Sequence, residues 1–221
     1  MFKNIILQHF NGKLRELDKL SIENIKSYAS MIGAEYKLVT GKPLNEKLTD
    51  ACQKVSMLSV KYDDYDQVLM LDIDMFAPKN MTTNVFKVPG IGMYNTTQQM
   101  LHRKILQHGG DMSYPYWGGA IYKMDRETRY ILRRQLQHDQ EWMFEFNEPY
   151  KFEDEGIMHI LAKMANFKPE QPYIHNKWCQ CSFLPNPEKA GFIHIRTKVT
   201  PQGPKREKIE NYYDLKMKGI I

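Results

Sequence analysis

Apolar and polar residues change their period several times along this chain, and each change marks an element. Residues 4–9 form an apolar run that reads as a buried strand. Over residues 13–32, Leu14, Leu17, Ile25, Tyr28 and Ile32 recur at helical spacing with charged residues between them, and Gly33 ends that helix. Glu35-Tyr36-Lys37-Leu38-Val39-Thr40 reads as a second strand, followed by the punctuation of Gly41 and Pro43. Leu48, Ala51, Cys52, Val55, Leu58 and Tyr62 then mark one face of a second helix. The turn Asp63-Asp64-Tyr65-Asp66 leads into the apolar strand Gln67-Val68-Leu69-Met70-Leu71.

This βαβαβ order predicts an α/β fold: one domain with a mixed, mainly parallel sheet flanked by helices and right-handed crossovers. Such sheets bind ligands beyond the carboxyl ends of their strands, near the switch in strand order. His9-Phe10-Asn11 and Asp72-Ile73-Asp74 both lie at such ends.

The second half is less regular. Gly90-Ile91-Gly92-Met93-Tyr94 and Gly118-Gly119-Ala120-Ile121-Tyr122 read as short strands, and Asp125 as the N-cap of a helix reaching about residue 146. Ile157, Ile160, Leu161 and Met164 define an amphipathic helix, and Gly191-Phe192-Ile193-His194-Ile195 a final strand. In the charged tail beyond Pro201, Ile209, Tyr212 and Leu215 share one docking face. The closing Gly219-Ile220-Ile221 fits a domain cut from a longer protein.

Asp72 and Asp74 are the chemical centre of this pattern. Side chains two apart on an extended strand point the same way, so the two carboxylates should converge as the strand ends. Carboxylates crowded together repel unless a cation or proton lies between them. A hard divalent ion answers that need, and Mg2+ or Mn2+ keeps coordination sites free for a substrate diphosphate. Two solvated aspartates at a strand end are the plain alternative.

Composition narrows the partners. The 221 residues can bury a full core, with 42% hydrophobic and 26% charged residues as in ordinary globular proteins. Thirty-one Lys and Arg against 26 Asp and Glu give +5, which suits an anionic small substrate and is too diffuse for nucleic acid. Cys52, Cys179 and Cys181 form an odd set without zinc-type spacing, as expected of a reducing compartment. The N-terminal apolar run is too short for a signal peptide, and no run approaches a membrane span, so a cytoplasmic location is expected.

An apolar strand, D-x-D, a G-G strand, an acidic D-E pair and a late F-I-H-x-x-x-K follow one another in that order, over residues 4–198. In this the chain resembles the GT-A glycosyltransferases, and is most similar to their retaining, nucleotide-sugar-dependent branches with a C-terminal histidine. More narrowly, it resembles a domain of a large-virus glycan-building enzyme. The resemblance implies a donor nucleoside-diphosphate sugar, UDP-sugar by preference, a glycan acceptor and Mn2+ or Mg2+. It also implies a nucleotide-sugar half (1–100), an acceptor half (101–200) and a C-terminal tail (201–221).

Carried over by position, Asp72 and Asp74 would bind the metal, Asp72 also lying near the ribose, with His194 as the third ligand. An Asp/His set leans toward Mn2+. Lys198 matches the family's diphosphate lysine, although Arg196-Thr197 stands where a glycine is usual. Arg196 could itself meet phosphate. Lys54 would face the donor, His9, Phe10 and Asn11 would surround the base, and Asp154 with Glu155 would face the donor sugar near the reacting carbon. Each has a plainer reading: an exposed helix lysine, a core Phe10 before an Asn11-Gly12 turn, and carboxylates complementing a helix dipole. Gly118 and Gly119 permit close approach of a ligand or mark a bulge. Tyr114, Tyr116 and Trp117 form either a sugar-stacking wall or core.

No residue stands out as a covalent nucleophile, so the resemblance implies front-face transfer, with the leaving phosphate helping to deprotonate the acceptor. Three rival readings remain. A haloacid-dehalogenase-type phosphatase wants D-x-D on its first strand and Thr or Val where Phe76 stands. A nucleotidyltransferase usually carries an N-terminal Gly-rich, Lys-containing loop. A catalytically dead sugar- or nucleotide-binding module would keep the site without turnover.

Overall fold

The three inner strands of the central sheet are buried on both faces because both faces are covered, whereas the edge strand Glu35–Thr40 is largely polar and exposed. The computed structural model describes residues 3–94, 106–137, 140–147, 153–197 and 206–221. Its elements begin with β1 (Asn4–Phe10), α1 (Glu16–Met31) and β2 (Glu35–Thr40), followed by β3 (Gln67–Leu71), β4 (Met75–Phe76), β5 (Gly92–Tyr94) and β6 (Trp117–Asp125). Beyond these come α2 (Arg126–Arg133), α3 (Glu153–Met164), β7 (Gln180–Cys181), β8 (Ile193–His194) and α4 (Lys208–Met217).

The five-stranded sheet has the order β2-β1-β3-β6-β5. β1 runs parallel to β2 and β3, whereas β6 is antiparallel to both β3 and β5. Four of the five strands therefore share one direction, and β6 alone runs back. Its return brings Gly118 and Gly119 to the edge at which β1 and β3 end. A second sheet, β4-β8-β7, is short and sits beside that edge.

Alternation along the strands sorts the core. Ile5, Leu7, Val68 and Met70 pack on the segment after β2 and on Ile157, Met158 and Leu161 of α3. Ile6, Leu69 and Leu71 pack on Ile25, Tyr28 and Ala29 of α1 and on Trp178 and Phe192. A third cluster joins Phe76, Ile193 and Ile195 to Leu17 and to Tyr212 and Leu215 of α4, confirming the docking face of the tail. Gly33, at φ 70°, takes the left-handed conformation that ends α1.

Four expectations are corrected. The second helix is two 3-10 stretches, Ala51–Leu58 and Val60–Tyr62, instead of an α-helix. Its buried Cys52, Val55 and Leu58 lie three apart, the period of a 3-10 helix, and extended backbone at Ser59 breaks it. The helix capped by Asp125, whose Oδ1 accepts from Thr128 N at 2.7 Å, is α-helical only through Arg133. Further 3-10 turns cover Arg134–Gln137 and Glu141–Phe146. The strand over 191–195 shrinks to two residues, because among the described residues its strand partners are the two-residue β4 and β7. Finally, Asp72-Ile73-Asp74 is not extended: it forms a turn closed by Met75 N donating to Asp72 O at 3.2 Å. The two aspartates meet because the chain turns there, and strand alternation plays no part.

Candidate functional site

The turn after β3 is fixed from three sides. Asp72 N donates to Ala120 O at 3.1 Å, and Gln8 Nε2 donates to Asp72 O at 3.0 Å. Gln8 also donates to Ser21 Oγ at 2.9 Å, which donates in turn to Met75 O at 2.7 Å, tying α1 to the turn. β4 then pairs with β8, setting Met75 opposite His194, and Ile195 N donates to Asp74 O at 3.0 Å. His194 Nε2 thereby lies 3.1 Å from Asp74 Oδ1 and 3.8 Å from Asp72 Oδ2.

One ligand atom from each of Asp72, Asp74 and His194 falls within 4.8 Å of the others. The donor set fits a divalent cation. Two carboxylates and an imidazole already converge, Asp74 is almost wholly buried, and the three leave coordination positions for a substrate. Burial alone would raise the Asp74 carboxyl, but His194 and Lys208 outweigh it and hold it below the ordinary carboxylate range.

Lys54 stands behind this cluster. Its ammonium donates to Asp72 Oδ1 at 2.7 Å and Gly119 O at 2.6 Å, and pairs with Asp154 Oδ2 at 2.9 Å. Burial pulls this lysine down, yet Asp154 and Asp72 together raise it above its usual value and keep it charged. Asp154 also accepts from Tyr122 Oη at 2.8 Å, and burial pushes its carboxyl up to about 7 against the pull of Lys54. Glu155 accepts from Gly119 N at 2.7 Å and Tyr116 Oη at 2.8 Å, and burial raises it as well.

The acidic pair of α3 is thus held inward by partners and is no solvated dipole complement. Gly119 is required for that contact, since a Cβ there would meet Asp154 Oδ2 at 2.6 Å. Beside it, the β5–β6 register shifts between Gly92 and Met93, with Met93 opposite Gly118, as in a bulge.

The remaining expected residues are placed as follows. His9 is buried, with Nε2 2.7 Å from Gly41 O, and burial lowers its pKa. Phe10 is half-buried at the end of β1, and the exposed Asn11 donates to Asp50 Oδ1 at 3.0 Å. Arg196 is exposed, and Lys198 lies outside the described residues. Tyr116 and Trp117 are fully buried, with Trp117 Nε1 donating to Pro172 O at 2.8 Å, so they belong to the core and build no sugar-stacking wall. Tyr114 turns to Asn166 Oδ1 at 2.9 Å, with Lys168 over its ring.

Three residues of the site went unseen in the sequence. Gln8, an amide within an apolar strand, was a visible signal. Tyr122 looked like any strand aromatic. Lys208 of α4 reaches the second carboxylate oxygen of Asp74 across 134 positions, and no local pattern announces it.

The chain matches no known protein-family profile and no curated protein sequence. Solved structures do match. One, described as a glycosyltransferase involved in the glycosylation of the major capsid of PBCV-1, aligns with TM-score 0.58 and 15% identity over 97% of this chain and 100% of that one. The galactosyltransferase LgtC, in complex with donor and acceptor sugar analogs, aligns with TM-score 0.56 and 13% identity over 97% of this chain and 95% of that one. An active-site mutant of LgtC gives TM-score 0.55 and 14% identity over the same shares. With its mainly co-directional sheet and the acidic turn at its carboxyl edge, the chain has the fold of the GT-A glycosyltransferases.

Proposed function

We propose that this protein is a metal-dependent glycosyltransferase. It moves a sugar from a nucleoside-diphosphate donor, a UDP-sugar in the first instance, to a hydroxyl of a glycan acceptor with retention of configuration. The observation that carries this reading is the convergence of Asp72, Asp74 and His194 at the carboxyl edge of a GT-A sheet. These three would hold Mn2+, or Mg2+. Such an ion, when bound, neutralises negative charge on the departing diphosphate.

The protein's own groups divide the remaining work. Lys54, charged and fixed by Asp72, Asp154 and Gly119 O, adds positive potential without having to reorganise. Lys198 is assigned to the diphosphate, and His9, Phe10 and Asn11 to the base. Gly118 and Gly119 border the sugar. Asp154 and Glu155, the pair assigned nearest the reacting carbon, act through Lys54 and the Gly119 N–H that they hold. Residues 1–100 form the donor half and 101–200 the acceptor half. The narrower reading, a glycan-building enzyme of a large virus, draws support from the likeness in fold to the glycosyltransferase involved in the glycosylation of the major capsid of PBCV-1. Among the described residues no helix is long and apolar enough to cross a membrane.

Calorimetry with UDP tests the site. Asp74→Asn and His194→Ala should each weaken Mn2+-dependent UDP binding by about tenfold or more, with melting temperatures held within a few degrees. Unchanged affinity in both would place the ion elsewhere.

A further inference from the structure

Lys208 is the first residue of α4, and its ammonium lies against Asp74 Oδ2 while His194 holds Oδ1. Asp74 is nearly buried, with 8% of its side chain exposed, whereas 37% of the Lys208 side chain reaches solvent. A carboxylate so enclosed needs a counter-charge, and this lysine supplies one. The helix behind it is firmly seated. Tyr212 packs its ring 5.2 Å from Phe76, Asn211 donates to Arg196 O at 2.7 Å, and Lys79 N donates to Ile220 O at 2.8 Å. A well-anchored backbone therefore carries a long side chain whose tip can move.

We propose that Lys208 is a positioning residue that couples cation binding to diphosphate binding. This rests on the reading that Asp72, Asp74 and His194 hold a divalent ion. Without that ion, the Lys208 ammonium occupies the oxygen of Asp74 that faces α4. A divalent cation drawn to Asp74 meets a like charge at hydrogen-bonding range, so Lys208 opposes its binding. Once displaced, the ammonium cannot go far, because its Cα is fixed and only its four-carbon stem turns. It remains beside the cluster, where an incoming diphosphate brings compensating negative charge. The same ammonium then favours the diphosphate. Ion and diphosphate should consequently bind with positive coupling, and by linkage each strengthens the other to the same degree.

The predicted signs are opposite for the two ligands, which no purely structural role would produce. Mn2+ alone and UDP in saturating Mn2+ are titrated by calorimetry into the wild type, Lys208→Met and Lys208→Arg, with melting curves alongside. Lys208→Met should bind Mn2+ about fivefold more tightly and UDP about tenfold more weakly, while Lys208→Arg stays within about threefold of wild type for both. Unchanged or weaker Mn2+ binding in Lys208→Met overturns the proposal. Weakening of both ligands together with a lowered melting temperature also overturns it, by showing that Lys208 merely braces α4. A wild type that binds neither Mn2+ nor UDP overturns the underlying metal reading, and this coupling with it.

Discussion

Lys54 is the side chain on which the interior of the site depends. Its ammonium joins Asp72 on β3's following turn, Asp154 on α3 and the carbonyl of Gly119 on β6. Removing it by Lys54→Met strands Asp154 in a dry setting, and such a broken buried pair typically costs about 3–5 kcal/mol. The loss depends on pH. Asp154 is raised from 3.8 to about 7 by burial, so the unfolded chain gives up this proton first as pH rises. Stability drawn from Asp154 therefore falls as pH climbs between those values. Lys54 is the attraction that limits the fall. Urea titrations of the wild type and Lys54→Met should consequently show a gap that widens from pH 5 to pH 8. A gap independent of pH would mean that Asp154 does not respond to Lys54.

Among the elements, the smallest have the largest effect on the site. β4 and β8 are two residues each, yet their antiparallel pairing carries His194 to Asp74. So short a ladder depends on its apolar backing: Phe76, Ile193 and Ile195 pack on Tyr212 and Leu215 of α4. Leu215 is 2% exposed, and Leu215→Ala should cost about 2–4 kcal/mol in chemical denaturation. The same substitution loosens the helix that carries Lys208. A cost below about 0.5 kcal/mol would show that α4 rests on this sheet without supporting it.

Across the whole molecule, the reaction's stereochemistry is the open consequence of the proposed function. A retaining transfer needs acceptor and leaving phosphate on one face of the sugar, whereas inversion needs a carboxylate free to act as base toward the acceptor hydroxyl. The carboxylates of Asp154 and Glu155 already accept from Tyr122, Tyr116 and the Gly119 N–H, with Lys54 on Asp154, which disfavours the second role. NMR of freshly formed product should show the donor's anomeric configuration. An inverted linkage would recast Asp154 or Glu155 as the base and leave the fold and the Asp72, Asp74 and His194 cluster standing.

Legibility in the sequence followed the range of the forces involved. Apolar periodicity records which face of an element is buried, and it located β1, α1, β2 and β3, together with the carboxyl edge where Asp72 lies. The capping carboxylate of Asp125 and the left-handed Gly33 were equally local and equally readable. The second helix was mistaken in kind, because buried residues three apart also satisfy a helical template read loosely. Strand alternation placed Asp72 and Asp74 together for the wrong reason, since the chain turns there, held by Gln8, Ser21, Ala120 and the pairing of β4 with β8. Asp154 and Glu155 were reached only through the family resemblance, Tyr116 and Trp117 stayed open between core and wall, and the reach of Lys208 to Asp74 left no local trace. Polar contacts have no period, and their partners lie far apart in the chain. They exist only once apolar burial has fixed where every element sits, so tertiary packing alone could decide them.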